Sequence, residues 1–336
     1  DLGTGSGKAL VVDRQGRALG SASAPYPVER PHDGWAEQDP DRWWNQTIAA
    51  ARTALARAGS PDIAAIGISG QMHGTVLLDA QGRPVRPAII WEDRRSTEQV
   101  HSLTAQIGAS TLIERCGSPL ATGLQAATLA WLVEHEPDAI ASTRAILLPG
   151  DALRYQLTGA LATEPSDASS TLLFDITTRT WAPEVLSAVG IDPALMPQVM
   201  ESTAITGTLT TRAARELGLR PGIPVTGGGG DAPLAALAGA ATTSDTLMLT
   251  ISTGSQAILP STEPVVDLRG RIHTWCSLAT PGSRLPAWYQ MGATMASGRA
   301  LRWLREEIMA TSAEDLESSV AALPPGADGL IFLPYL

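Results

Sequence analysis

At 336 residues, with 24 Lys+Arg against 34 Asp+Glu and a net charge of −10, the chain is too long for one ordinary hydrophobic core and reads as two lobes. Its basic residues are scattered rather than gathered into a stripe, which argues against a nucleic-acid partner. Apolar runs such as Ala64–Ile68 and Ala145–Leu148 are far shorter than the roughly 18 residues of a membrane span.

The first residues do not read as a signal peptide. Two cysteines, Cys116 and Cys276, make neither a disulfide framework nor a thiolate metal site, so a cytoplasmic enzyme is expected. The chain opens at Asp1 inside a Gly-rich turn and stops in the apolar run Leu330–Leu336, so a fragment of a longer protein is expected.

In chain order, Ala9–Asp13, Gln15-Gly16 and Arg17–Val28 predict strand, turn and strand. Asp39-Pro40 supplies a cap and first turn. Trp44, Ile48, Ala51 and Leu55 then recur at helical spacing up to Gly59, with Trp44 facing the core. The apolar run Ile63–Ile68 ends at Ser69-Gly70-Gln71-Met72-His73-Gly74, and a hairpin is expected from Thr75–Leu78, Asp79–Gly82 and Arg86–Trp91. The charged run Glu92–Arg95 is expected to be a solvated loop, with Trp91 beside it as the one aromatic worth watching at a ligand site.

Helices are expected near Leu124–Glu134 and Asp151–Leu157, and the Ser/Asp/Thr-rich segment Thr163–Thr171 reads as a loop. Gly227–Gly230 are expected to break any helix or strand before Asp231, after which Ala232–Ala241 forms a close-packing helix. Thr246–Ile251 then reads as a strand closing on Ser252-Thr253-Gly254-Ser255. This second Gly/Thr/Ser turn repeats the one at Gly3–Ser6, so an internal duplication with a cleft between the copies is expected.

The first turn, Asp1-Leu2-Gly3-Thr4-Gly5-Ser6-Gly7-Lys8, is not a Walker A loop. Its glycine spacing is wrong, and a strand follows the lysine instead of a helix. Small residues nevertheless leave backbone N–H groups open in an anion-binding nest, and Asp1 could stand beside Mg²⁺ held mostly through water; an ordinary hairpin turn reads the same way. Asp231, after four glycines, can bring a carboxylate to a substrate hydroxyl as a general base, or simply cap the helix that follows. One carboxylate and two phosphate turns around a cleft nearly complete the requirements of phosphoryl transfer. Gln71, Met72 and His73 end a strand between glycines and could face a ligand. His32, His273 and the cysteines share no metal-ligand spacing. A nicotinamide site is poorly supported, because Gly227–Gly230 lacks the Gly-x-Gly-x-x-Gly register.

Taken together, Asp1–Thr4 with Lys8-Ala9, Glu37–Pro40 with Trp43-Trp44, Gly70–Gly74, Trp91–Arg95, Gly227–Asp231 and Phe332–Leu336 run in an order that resembles the FGGY carbohydrate kinases over the whole chain. The resemblance implies an α/β, actin-like ATPase (ribonuclease H-like) fold whose two lobes flank a cleft. Residues 1–240 would form the sugar-binding lobe and 241–336 the beginning of a truncated nucleotide-binding lobe. It implies ATP and Mg²⁺, Asp231 as catalytic base, and Asp1 acting on the phosphates and on Mg²⁺ through water. Gln71, Met72, His73 and Asp231 would bind the sugar. Thr4, Gly5 and Ser6 would hold phosphate from one lobe and Thr253, Gly254 and Ser255 from the other. Adenine contacts are expected beyond Leu336. A homodimer is left open.

Gln71-Met72-His73 leans toward D-xylulose, phosphorylated to D-xylulose 5-phosphate, over glycerol or gluconate. The chain departs from the family pattern at Glu92, where Asn is common, at Ala232-Pro233, where an amide is common, and in the order of Ser252–Gln256. Another ketose or polyol therefore stands as an alternative substrate, and a non-catalytic sugar sensor as an alternative class.

Overall fold

The computed structural model describes residues 1–252, 254–294, 296–321 and 323–333. Strands Ser6–Val12 and Ala18–Pro25 form an antiparallel pair around the predicted turn. Helix Pro40–Arg57 lies against both. It starts where local chemistry demands, with Pro40 in the first turn and the Asp39 carboxylate accepting from the Asp41 N–H at 2.9 Å. At Gly20 a Cβ would come within 2.4 Å of the Ala54 carbonyl oxygen, so a glycine is what lets this helix sit close to the strand.

The floor of the first region is made of very short parallel segments. Leu2 lies beside Gly70, Ser69–Gly70 beside Gly229–Gly230, and Ile66 beside Val225. The glycine run therefore joins a sheet, against the expectation that it would break any strand. Gly229 donates to the Ile68 carbonyl at 3.0 Å, and that parallel partner comes from a segment distant in the chain. The predicted hairpin is also altered. Its arms are hydrogen-bonded, Val85 N–H to the Leu77 carbonyl at 2.8 Å and Thr75 and Ile89 exchanging bonds at 2.8 and 3.2 Å, but Val76–Leu78 also pairs antiparallel with Ala145–Leu147. Ala88–Ile89 pairs in turn with Glu37–Gln38.

Helices Gln125–His135 and Pro149–Thr158 form close to their expected places. Thr163–Thr171 is not a loop. Pro165–Ala168 is one helical turn continued by a 3-10 turn at Ser169–Thr171, all of it buried. Glu164 caps it, accepting from the Ser166 and Asp167 N–H groups at 2.8 and 2.7 Å, with Pro165 in the first turn. The segment Glu92–Arg95 is not a solvated loop either. Asp93 and Arg95 are each 1% exposed as side chains. Arg95 bonds Asp93 and Glu37, and its guanidinium lies 3.6 Å over the Trp35 ring.

Beyond helix Asp231–Ala238, the second region is a four-stranded antiparallel sheet in the order Met248–Ile251, Ser255–Ser261, Trp288–Thr294, His273–Cys276. It packs on the first region through Met72 against Ile258, Trp275 and Tyr289, and through Phe174 against Cys276 and Trp288. Cys116 and Cys276 are free and buried. Among the described residues no helix is long and apolar enough to cross a membrane.

Candidate active site

The three parallel segments end side by side. Leu2 donates to the Ser69 carbonyl at 2.7 Å and Gln71 to the Leu2 carbonyl at 2.8 Å. Past their carboxyl ends stand the turn Gly3–Ser6, the segment Gln71–His73 and Asp231, and the carboxyl ends of parallel strands are where open α/β sheets bind ligands.

Backbone requires glycine at the start of the run before Asp231, where a Cβ on Gly227 would meet the Glu201 oxygen at 2.7 Å, and side chains press on its end. Gly228 has φ +76°, and a Cβ there would meet the Ile68 oxygen at 2.2 Å. On Gly229 it would meet Leu278 at 2.2 Å, and on Gly230 the Met72 side chain at 2.9 Å. Asp231 opens its helix, and its Oδ1 accepts from the Ala232 N–H at 2.8 Å. Its surface remains exposed to water along one side, while protein crowds its other sides. That desolvation pushes the carboxyl above its ordinary pKa, against the opposing pull of the Ala232 N–H and of Lys8. Lys8 also pairs with Asp1, Nζ to Oδ2 at 3.3 Å. The motif reading quoted this lysine without a role; its position two residues past the turn, on a strand, was the signal.

The sequence-expected sugar residues differ in access. Gln71 is 1% exposed. Its Nε2 donates to Gln38 Oε1 at 2.9 Å, and its Oε1 accepts from the Thr4 hydroxyl at 3.1 Å. Met72 is buried against Gly230. His73 alone of the three is partly open. It holds φ +72°, an unusual backbone state for a side-chain-bearing residue. Its Nδ1 lies 3.0 Å from the Ser170 carbonyl, which can only accept, so Nδ1 carries the hydrogen and Nε2 is left as an acceptor. Burial pulls the ring's pKa down to about 4 despite that carbonyl. The ring therefore stays neutral at physiological pH.

Thr4 is a frame member of the first turn. Its hydroxyl accepts from Trp91 Nε1 at 2.8 Å and its carbonyl from Gln38 Nε2 at 2.7 Å. Among the described residues the Thr4 and Gly5 N–H groups donate to nothing, the arrangement a nest for an anion requires. Ser255 begins a strand of the second sheet, pairing with Ile251 and Thr294, and Gly254 lies in the bend just before it; Thr253 lies outside the described residues. No group of three or more His, Cys, Asp or Glu side chains fit to hold a metal occurs among the described residues.

Sequence reasoning missed the polar layer beneath the glycine run, formed by Asp151, Arg154, Glu164 and Asp167, all at most 3% exposed. The Glu164-Pro165 pair, a cap followed by a first-turn proline, was the available signal. It also missed Trp275, which lies between His73 at 5.3 Å and His273 at 4.7 Å.

A model of the FGGY family of carbohydrate kinases, N-terminal domain, matches residues 1–238. The chain belongs to the FGGY family of carbohydrate kinases. Xylulose kinase of Staphylococcus xylosus is 32% identical over 341 residues, which cover 100% of this chain and 69% of that protein. Xylulose kinase of Escherichia coli is also 32% identical, covering 100% and 68%. The crystal structure of xylulose kinase from Rhodospirillum rubrum matches with TM-score 0.92 and 28% identity over 99% of this chain and 68% of that one. The FGGY chain thus spans about two thirds of the length of these relatives, and the expected actin-like α/β architecture is borne out.

Proposed function

We propose that the full-length protein transfers the γ-phosphoryl group of ATP to the primary hydroxyl of a sugar, D-xylulose giving D-xylulose 5-phosphate. The observation that carries this reading is Asp231, an open carboxylate at the carboxyl ends of the parallel segments, immediately past a glycine run that admits close approach. The substrate follows from the xylulose kinases among the relatives.

In this reading Asp231 accepts the hydroxyl proton as the oxygen bonds to the γ-phosphorus, and the bond from phosphorus to the bridging oxygen breaks toward ADP. Its raised pKa makes it a better base than an ordinary aspartate. Neutral His73 offers Nε2 to a second sugar hydroxyl, while Gln71 and Met72 shape the floor under it. The open N–H groups of Thr4 and Gly5, with Ser6, receive phosphate oxygens from one side, and Gly254 and Ser255, with Thr253, from the other. Residues 1–240 would then be the sugar lobe and the residues from 241 on the start of the nucleotide lobe.

Asp1, paired with Lys8 beside the first turn, and the lack of a metal-holding group of three or more His, Cys, Asp or Glu among the described residues fit a Mg²⁺ ion that would be held through water and phosphate rather than by a protein cage. When bound, that ion neutralises charge on the phosphate oxygens. A cytosolic setting fits the two free buried thiols.

The test is ADP release by the full-length protein with ATP and Mg²⁺ against D-xylulose, L-ribulose, D-ribulose, glycerol and gluconate. Selective turnover of D-xylulose is expected, and Asp231→Asn should lower kcat by roughly 10²- to 10⁴-fold with sugar affinity nearly kept. Turnover of another sugar moves the substrate but keeps the class. Silence across the panel favours a sensor.

A further inference from the structure

The glycine run has no side chains with which to hold itself, and glycine is the residue with the most backbone freedom to lose. Its order must come from outside. Gly227, Gly228 and Gly229 donate to the carbonyls of Ala204, Ser202 and Ile68 at 2.9, 2.9 and 3.0 Å. Gly230, the residue just before Asp231, is held differently. Its N–H goes to the Ser166 hydroxyl at 3.2 Å, and Ser166 Oγ in turn donates to Glu164 Oε1 at 2.8 Å.

Glu164 is 0% exposed, and each of its oxygens accepts two hydrogen bonds. Oε1 takes Ser166 Oγ and the Asp167 N–H; Oε2 takes the Ser166 N–H and the Ser202 hydroxyl. Ser202 is the residue whose carbonyl receives Gly228. One buried carboxylate thus reaches both Gly228 and Gly230 through two serines. At the other end of the run, Arg154 donates to the Gly227 carbonyl while paired with Asp151 at 2.6 Å.

We infer that Glu164, acting through Ser166 and Ser202, is a positioning residue that fixes the glycine run and thereby aims the Asp231 carboxylate. The inference rests on the reading of Asp231 as the base. A hydroxyl is the one feature of Ser166 that this role uses, and a carboxylate the one feature of Glu164. Misplacing a reacting group by about 1 Å can cost on the order of 10²-fold in rate.

The experiment measures kcat, sugar KM and the pH profile of kcat/KM for Ser166→Ala, Glu164→Gln, their double variant and Asp231→Asn, in the full-length protein with ATP, Mg²⁺ and its best sugar. Ser166→Ala and Glu164→Gln should each lower kcat roughly 10- to 100-fold with KM little changed. The double variant should lose scarcely more than the worse single one, because both cut the same path. The acid limb of the profile should move to lower pH, since a loosened Asp231 carboxyl gains water. Lys8, Asp167 and Tyr289 face that carboxyl and stay unaltered in all the variants.

A folded Ser166→Ala or Glu164→Gln protein with wild-type kcat and an unmoved acid limb overturns the inference. The second variant answers the question if the first does not fold. Inactive Asp231→Asn beside fully active clamp variants sinks the inference alone. Turnover kept by Asp231→Asn sinks the base assignment and the inference with it.

Discussion

Two buried charged layers lie in the same half of the chain and are built to opposite rules. Around Arg95, the carboxylates of Glu37, Asp93 and Glu136 meet two guanidinium groups, Arg86 and Arg95, and Trp35 and Trp131 stack on Arg95. Beneath the glycine run, Arg154 pairs with Asp151, Glu164 is held by serine hydroxyls and backbone N–H groups instead of a cation, and Asp167 Oδ1 has no hydrogen-bond partner among the described residues. Burial pushes all three of these carboxyls above their ordinary values, and mutual repulsion adds to the rise at Asp167. The first layer closes each of its carboxylates on a guanidinium, with Arg95 Nη1 left without a hydrogen-bond partner among the described residues, and stitches strand ends together. The second keeps surplus acid beneath the glycine run, where the charge of Asp231 adds to the rise at Asp167.

The sharpest way to break the comparison is Arg95→Met. It leaves Asp93 and Glu37 buried with fewer partners and removes the stacking on Trp35, and should destabilise by about 3–5 kcal/mol, read by urea denaturation. A loss under about 1 kcal/mol would show that the layer is not held as a closed unit.

The second layer should respond to pH instead. A carboxyl whose folded pKa is raised binds protons more tightly when folded, so its contribution favours the folded state at low pH and is lost as pH climbs above the unfolded value of 3.8. Asp167→Asn removes one such group and should raise the melting temperature at pH 8 more than at pH 5. His73 acts in the opposite sense. Its lowered pKa means that stability is present above 6.5 and falls as pH drops toward about 4, a trend that wild type and Asp167→Asn share and that cancels when the two melting temperatures are subtracted at each pH. An equal shift of the variant at pH 5 and pH 8 would count against an acid-rich layer.

The smallest effect is expected at the outer edge of the first layer, where Arg30 pairs with Glu92 while more than half exposed. Arg30→Ala should cost roughly 0–1 kcal/mol and less still in high salt. A larger loss would extend the closed layer outward to the surface.

Much of the site was legible from the chain because its signals are local. A run of glycines before an aspartate marks a close approach of backbone, Asp39-Pro40 starts a helix by its own chemistry, and the order of the Gly-rich turn, Gln71–His73 and Asp231 carried the family. What failed were judgements of solvation. Glu92–Arg95 and Thr163–Thr171 look like surface loops by composition, yet the second is buried throughout and the first buries the side chains of Asp93 and Arg95 while Arg94 stays exposed. Their partners are far away in sequence: Ser166 meets Gly230 from 64 residues off and Glu164 meets Ser202 from 38.

The sequence by itself determined the start of the helix at Pro40, the glycine run before Asp231, and the chemical groups available to a kinase. Tertiary structure alone decided which polar groups left water and which faced it. It placed Gln71 in a closed amide network, left His73 only partly covered, and set Glu164 beneath the glycine run before Asp231. The reason is physical: a hydrogen bond or an ion pair stabilises a buried group only when its partner is in place, and that partner is supplied by the fold.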